Sequence, residues 1–287
     1  MDRAAPDQRH AGGRRVPLVS RRSTPCIVGR MPPSQPSVLG RARDLAYLMR
    51  TRLWSRDPRE RASAGATLTT RFADRMMPGY VVGEGGKRWF EDEPFMRDYD
   101  RVTPGGNRAS AERKYFLRSL LALADGLPGD TAEAGVWRGS SSWFICDRLR
   151  GSGKTHHGFD SFEGLSSPTE RDGSYWRIGD LGTRREAASE LLEGFDVRLY
   201  EGWIPERFPE VEGREFCVVH IDVDLYEPTR DSIAFFYPRV VPGGLLVFDD
   251  HGFSTCPGAT RAVDEFMASR PEPVIEVPTG QAFVIKR

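Results

Sequence analysis

Short apolar runs that end in carboxylates recur through the second half of the chain. Phe216 to Ile221 and Leu245 to Phe248 are each too short for a helix and rich in β-branched residues, so both read as buried parallel strands. Between them Pro228 to Tyr237 has helical spacing, with Ile233, Phe236 and Tyr237 on one face, and Pro242-Gly243-Gly244 supplies a stop. The result is a β-α-β unit. Upstream, the same pattern gives strands at Thr131 to Ala134, Thr155 to Phe159 and Val197 to Tyr200. It also gives a helix that opens at Ser140 or Ser141 and carries Trp143, Phe144 and Leu149. Downstream come a helix from Ala259 to Ser269 and strands near Val274 to Val277 and Ala282 to Ile285. Ahead of the first strand, Arg41 to Trp54, Ala62 to Met77 and Ala109 to Ala124 have helical spacing. The predicted fold is α/β, a doubly wound, mostly parallel sheet with an N-terminal helical extension. Residues 1–61 read as a basic leader, 62–127 as a helical lid or dimer contact, and 128–287 as the working domain.

In open α/β sheets ligands bind beyond the carboxyl ends of the strands. Asp222 and Asp224 follow one strand and Asp249 and Asp250 the next, so the four converge at one edge. Mutual repulsion raises their pKa values unless a cation intervenes, and oxygen ligands in small numbers suit Mg²⁺. The alternative is that these residues cap the following helices, which accounts for Asp224 better than for the Asp249-Asp250 pair. After the first strand comes Glu133-x-Gly135-x-x-x-Gly139, a glycine-bearing loop that leads into a helix. It is not the G-x-G-x-x-G turn that packs a pyrophosphate. Asp160 ends the second strand, where a carboxylate holds both hydroxyls of a ribose or caps a helix. A nucleoside without phosphates fits this combination, and S-adenosylmethionine is one. Ser174-Tyr175-Trp176-Arg177 lies in a long polar connection and either lines an acceptor pocket or packs the loop down.

Charge changes the picture only at the N-terminus. The formal net charge is zero, yet residues 1–62 hold fourteen Arg and five acidic residues. A basic arm beside an acidic body invites nucleic acid or a membrane surface. Its scattered Pro and Gly, few aromatics and lack of a motif point instead to a disordered leader, or to translation starting at Met31 or Met49, and against a nucleic-acid partner. No apolar run is long enough to cross a membrane, and no signal peptide is evident, so the expected location is cytoplasmic. The four cysteines, Cys26, Cys146, Cys217 and Cys256, form no C-x-x-C and are read as reduced thiols.

The runs GDTAEAGVWRGSS, GFDSFEGL, EGW, HIDVDLYEPTRDSI, FYPRVVPGGLLVFDDHG and ATRAVDEF occur in order over about Pro128 to Met267. Together they resemble the successive motifs of the macrocin O-methyltransferase (TylF) family. The resemblance implies a Rossmann-like class I methyltransferase that uses S-adenosylmethionine and a divalent metal and tailors sugars or aminocoumarins. It implies that Glu133, Gly135, Trp137 and Arg138 form the first cofactor loop, Asp160 and Ser161 the ribose site, and Gly202 and Trp203 the adenine side. It also implies Asp222, Asp249 and Asp250 as metal ligands. The chain departs from the family pattern with Ala134 for Thr, Ser140 for a second Gly and His251 for Tyr. Leu225 stands where related enzymes carry a Lys or His base, which leaves Asp222 or His251 as the base. The expected reaction is methyl transfer to a hydroxyl of a small-molecule acceptor, a sugar or other secondary metabolite. Homo-oligomerisation stays open. Two alternatives are a haloacid dehalogenase-like phosphatase, from Asp222-Val223-Asp224 with Mg²⁺, and a non-catalytic S-adenosylmethionine-binding protein.

Overall fold

The computed structural model describes residues 38–76, 88–103, 108 and 110–287. The chain divides into two compact units, Met1–Val82 and Gly83–Arg287. In the first, helices α1 (Val38–Trp54) and α2 (Pro58–Met76) pack on each other, and Ala64 is the one buried hydrophobic residue among its described side chains. Part of the expected leader is thus helical; residues 1–37, with Cys26 and Met31, lie outside the described residues.

The second unit opens with α3 (Arg88–Glu91), α4 (Glu93–Val102) and α5 (Ala111–Leu120), then builds the sheet. Its strands are β1 (Asp130–Ala134), β2 (His156–Asp160), β3 (Val197–Glu201), β4 (Phe216–Ile221), β5 (Val240–Phe248), β6 (Ile275–Glu276) and β7 (Ala282–Ile285). Between them run α6 (Ser140–Arg148), α7 (Arg185–Leu191), α8 (Tyr226–Phe236) and α9 (Pro257–Met267). Strand order is β3-β2-β1-β4-β5-β7-β6, with β1 to β5 parallel and β7 antiparallel to both neighbours. Helices 88–124 belong to the same unit as the sheet, because Leu117, Leu120 and Leu121 pack against Val218, Leu245 and Val247. The opposite face buries Phe159, Phe216 and Phe248 with Phe236 of α8 and Val263 of α9.

Two boundaries differ from expectation for a physical reason. Pro242-Gly243-Gly244 lies inside β5, not in a turn after the helix. Gly243 at φ +83° makes an irregularity there, so Phe216 pairs with Val240 while Val218 pairs with Leu245. The cap of α6 is Gly139 at φ +88°, not a serine. Among the described residues no helix is long and apolar enough to cross a membrane.

Candidate functional site

Strand order reverses between β1 and β4, and the crevice beyond their carboxyl ends holds a pocket of about 500 Å³. Gly135 makes its inner wall possible. It sits at φ +89°, and a Cβ there would stand 1.8 Å from the Asp222 carbonyl oxygen, so the loop after β1 touches the end of β4 through backbone alone.

Asp160 ends β2 and reaches across to the same loop. Its Oδ2 accepts the N–H groups of Val136 (2.9 Å) and Trp137 (2.7 Å), and Oδ1 accepts that of Phe162 (2.7 Å). Burial raises its pKa, and these bonds oppose the rise. The carboxylate therefore braces the glycine loop while facing the pocket. Ser161 Oγ closes a turn by accepting the Glu163 N–H at 3.1 Å and donating to the Gly164 carbonyl at 3.2 Å. Trp137, Ser161 and Trp203 line the pocket. Arg138 and Gly202 do not: the Arg138 guanidinium lies over the Trp137 ring at 4.8 Å, and the Gly202 N–H is tied to the Asp160 carbonyl at 3.0 Å.

The strand-end carboxylates fall into two environments. Asp222, Asp224 and Asp250 line the pocket. Burial, with Asp222 alongside, pushes Asp224 up to about 7. Burial, then Asp224 and Asp222, raises Asp250 well above its ordinary value. Burial and Asp249 raise Asp222 against the pull of Lys114, whose Nζ lies 3.7 Å away. Asp224 also holds a left-handed backbone (φ +59°), and its N–H donates to Asp250 at 2.9 Å. Strained backbone of this kind collects at functional sites.

Asp249 is different. It is fully buried behind the pocket, paired with Arg113, and accepts hydrogen bonds from Gln281 Nε2 (2.6 Å) and His220 Nε2 (3.3 Å). Burial would raise its pKa, but Lys114, Arg113 and His220 hold it well below the usual carboxylate range. Asp222, Asp224 and Asp250 line the pocket, whereas Asp249, partnered by Arg113 of α5, does not, though it and Asp222 offer carboxylate oxygens within 4.8 Å of each other.

Glu133 and His251 also lie off the pocket. Glu133 points into the sheet from β1, beside His220 in register on β4. It pairs with His220 Nδ1 at 2.8 Å, accepts the Ser142 hydroxyl, and has His156 Nε2 at 3.7 Å. Burial opposes its charge, yet the nearby His156 and the hydrogen-bonded His220 hold its pKa at about 2. His220, desolvated but flanked by Asp249 and Glu133, rises to about 9. His251 is buried and off the pocket lining, its Nε2 bonded to Asp264 at 3.0 Å and its Nδ1 without a hydrogen-bond partner among the described residues.

Arg113, Lys114, His220 and Gln281 escaped sequence reading. Two had a signal. Lys114 interrupts the buried stripe Ala111, Leu117, Leu120 of α5, and His220 interrupts an apolar strand.

In sequence, residues 115–283 match the macrocin-O-methyltransferase (TylF) family. The 8-demethyl-8-(2,3-dimethoxy-alpha-L-rhamnosyl)-tetracenomycin-C 4'-O-methyltransferase of Streptomyces olivaceus is 35% identical over 182 residues, 58% of this chain and 69% of that protein. The demethyldecarbamoylnovobiocin O-methyltransferase of Streptomyces niveus is 30% identical over 165 residues, 51% of this chain and 61% of its own length. The structure of the O-methyltransferase NovP superposes with a TM-score of 0.50 at 26% identity, covering 61% of this chain and 79% of NovP. A calicheamicin methyltransferase gives 0.56 at 18% identity over 81% and 94%, a likeness of fold alone.

Proposed function

The chain belongs to the macrocin O-methyltransferase family, and on that footing we propose that it transfers a methyl group from S-adenosylmethionine to a hydroxyl of a small molecule, a sugar or other secondary metabolite, with a divalent cation at the pocket carboxylates. One observation carries this reading. A single pocket joins the glycine loop after β1 and Asp160, suited to a phosphate-free nucleoside, to three crowded carboxylates of raised pKa.

The donor chemistry suits a hard cation such as Mg²⁺. Asp222, Asp224, Asp249 and Asp250 face two cations, Arg113 and Lys114, while His220 is matched by Glu133, a surplus of two negative charges. Carboxylate oxygens are the ligands of choice for Mg²⁺. Burial and the neighbouring Asp250 push the Cys256 thiol up to about 12, and it donates to Asp224 at 3.4 Å. Asp222, Asp224 and Asp250 would hold the ion, which when bound lowers the pKa of an acceptor hydroxyl and orients it. Asp160 and the glycine loop position the nucleoside, Trp176 and Phe253 shape the acceptor side, and Asp222 or Asp224 takes the hydroxyl proton. The family match gives the phosphatase alternative no support.

The test is methyl transfer from labelled S-adenosylmethionine to a panel of hydroxylated glycosides, with and without EDTA. Chelation should lower transfer by at least about 10²-fold, the scale of a major transition-state electrostatic contribution, and added Mg²⁺ should restore it. Full activity in EDTA sinks the cation; no binding of S-adenosylhomocysteine sinks the whole reading.

A further inference from the structure

Among the described residues, atoms able to ligate a metal gather within 4.8 Å of one another in two places, at His220, Asp222 and Asp249 and at Asp224, Asp250 and Cys256. Protein groups already fill the first. Arg113 pairs with Asp249, and His220 is shared between Asp249 and Glu133. The second opens on the pocket, which all three of its residues line.

Those three residues arrive from separate elements, the loop after β4, the end of β5 and the start of α9. Cys256 is 2% exposed and stands at the N-cap of α9, yet its side chain makes no hydrogen bond to the first turn of that helix. Its sulfur instead lies 3.4 Å from Asp224 Oδ1 and accepts the Trp176 indole N–H at 3.4 Å. A cysteine that only packs sits among apolar atoms; this one faces two carboxylates. An ion about 2.3 Å from sulfur and about 2.1 Å from oxygen sets the two ligand atoms about 3.1 Å apart at a right angle and about 3.6 Å apart at the tetrahedral angle. The 3.4 Å between Cys256 and Asp224 falls between those values. The Trp176 N–H then steadies the sulfur from behind, as outer partners of metal ligands do.

We infer that Cys256 is a sulfur ligand of the cation held at Asp224 and Asp250, so that the pocket takes a borderline transition ion such as Co²⁺ or Zn²⁺ in preference to Mg²⁺. This rests on the proposed cation. Mg²⁺ binds through the carboxylate oxygens alone, whereas an ion that accepts sulfur gains a further bond at the same place. As the metal–sulfur bond forms, the S–H bond breaks and its proton goes to solvent.

Absorption spectroscopy of the full chain titrated with Co²⁺ in thiol-free buffer tests it. Bound Co²⁺ gives visible ligand-field bands, and a sulfur ligand adds charge-transfer absorption in the near ultraviolet. The wild type should show both. Cys256→Ser and Cys256→Ala should keep the visible bands and lose the charge transfer, with cobalt affinity lowered by at least about tenfold, the scale of losing even an outer partner of a metal ligand. Mg²⁺ affinity, read by competition, should stay within about threefold of the wild type, because oxygen ligands suffice for that ion. Visible bands without charge transfer in the wild type overturn the assignment without any variant. Charge transfer that survives in Cys256→Ala also overturns it, because another thiol then holds the ion. Binding of neither Co²⁺ nor Mg²⁺ by the wild type instead removes the cation reading itself, a failure distinct from an ion held by oxygen alone.

Discussion

Replacing Glu133 by Gln separates a ligand of the cofactor from a brace of the sheet. The substitution keeps the shape and removes the charge at a site with no solvent access. Lowering the Glu133 pKa from 4.5 to about 2 corresponds to about 3 kcal/mol in favour of the charged form. The rise of His220 from 6.5 to about 9 is of similar size. Both report largely the same 2.8 Å pair, so they are not added. Leaving His220 with Asp249 as its one remaining acidic partner should therefore cost about 2–4 kcal/mol, or on the order of 5–15 °C in Tm for a chain of this size.

The sign of the pH dependence follows from the two directions. Glu133, depressed on folding, contributes stability above 4.5 that is lost as pH falls toward 2. His220, raised on folding, contributes stability below 6.5 that is lost as pH rises through about 9. The pair is complete between these limits, and the wild type should weaken from 6.5 to 9. Urea unfolding followed by circular dichroism across that range should give a flatter profile for Glu133→Gln. S-adenosylhomocysteine affinity should stay within about threefold, because Glu133 does not line the pocket. A variant with wild-type stability and no ligand binding would refute this placement and return Glu133 to the cofactor loop.

Gly135→Ala should destabilise by at least about 2 kcal/mol and abolish S-adenosylhomocysteine binding, since φ +89° and a 1.8 Å approach to the Asp222 carbonyl both exclude a side chain; an unchanged melting curve is the contrary result. Asp249→Asn should cost about 3–5 kcal/mol in thermal or chemical unfolding, because it strips Arg113 of its carboxylate partner and His220 of one of its two. In EDTA, Asp250→Asn should leave stability at neutral pH unchanged or higher, because the raised pKa of Asp250 means that its ionisation opposes folding; a loss comparable to Asp249→Asn would contradict the two environments. Cys256, 2% exposed with its thiol pushed up to about 12, should resist iodoacetamide until the protein is unfolded, as mass spectrometry would read.

The sheet was legible because β4 and β5 contain apolar runs of the length a buried parallel strand needs, while β1 and β2, which are largely polar, are marked by the glycine loop and the carboxylate that follow or end them. The resemblance over Pro128 to Met267 agrees with the family match over 115–283 for the same reason: the motifs lie where backbone and carboxylates must converge. What strand-end reading could not supply was the direction in which a side chain leaves the strand. Glu133 sits one residue before the end of β1, and the alternation of a strand sends it to the α5 and α6 face with Ser142 and His220. Asp249 and Asp250 are adjacent in the bend after β5, yet one is paired with Arg113 and the other lines the pocket.

The positive half of the site was illegible for another reason. Arg113 and Lys114 come from a helix that precedes the sheet, in a segment whose motif content is low, and their roles exist only once α5 has packed across β4 and β5. That packing is apolar: Leu117, Leu120 and Leu121 fix the helix against Val218, Leu245 and Val247, and the two cations one turn earlier are carried to the strand ends. The hydrophobic stripe thus decides which carboxylate is neutralised by protein and which are left for a ligand. Asp249, reached by Arg113, is satisfied within the fold; Asp222, Asp224 and Asp250 keep the uncompensated charge that a bound cation would relieve. On this account a substitution that shifts α5, such as Leu117→Ala, should weaken cation binding without touching any ligand, because it moves the guanidinium that reserves Asp249. Calorimetric titration of Leu117→Ala with Mn²⁺ would show it, and a wild-type affinity with Arg113 displaced would uncouple the helix from the site.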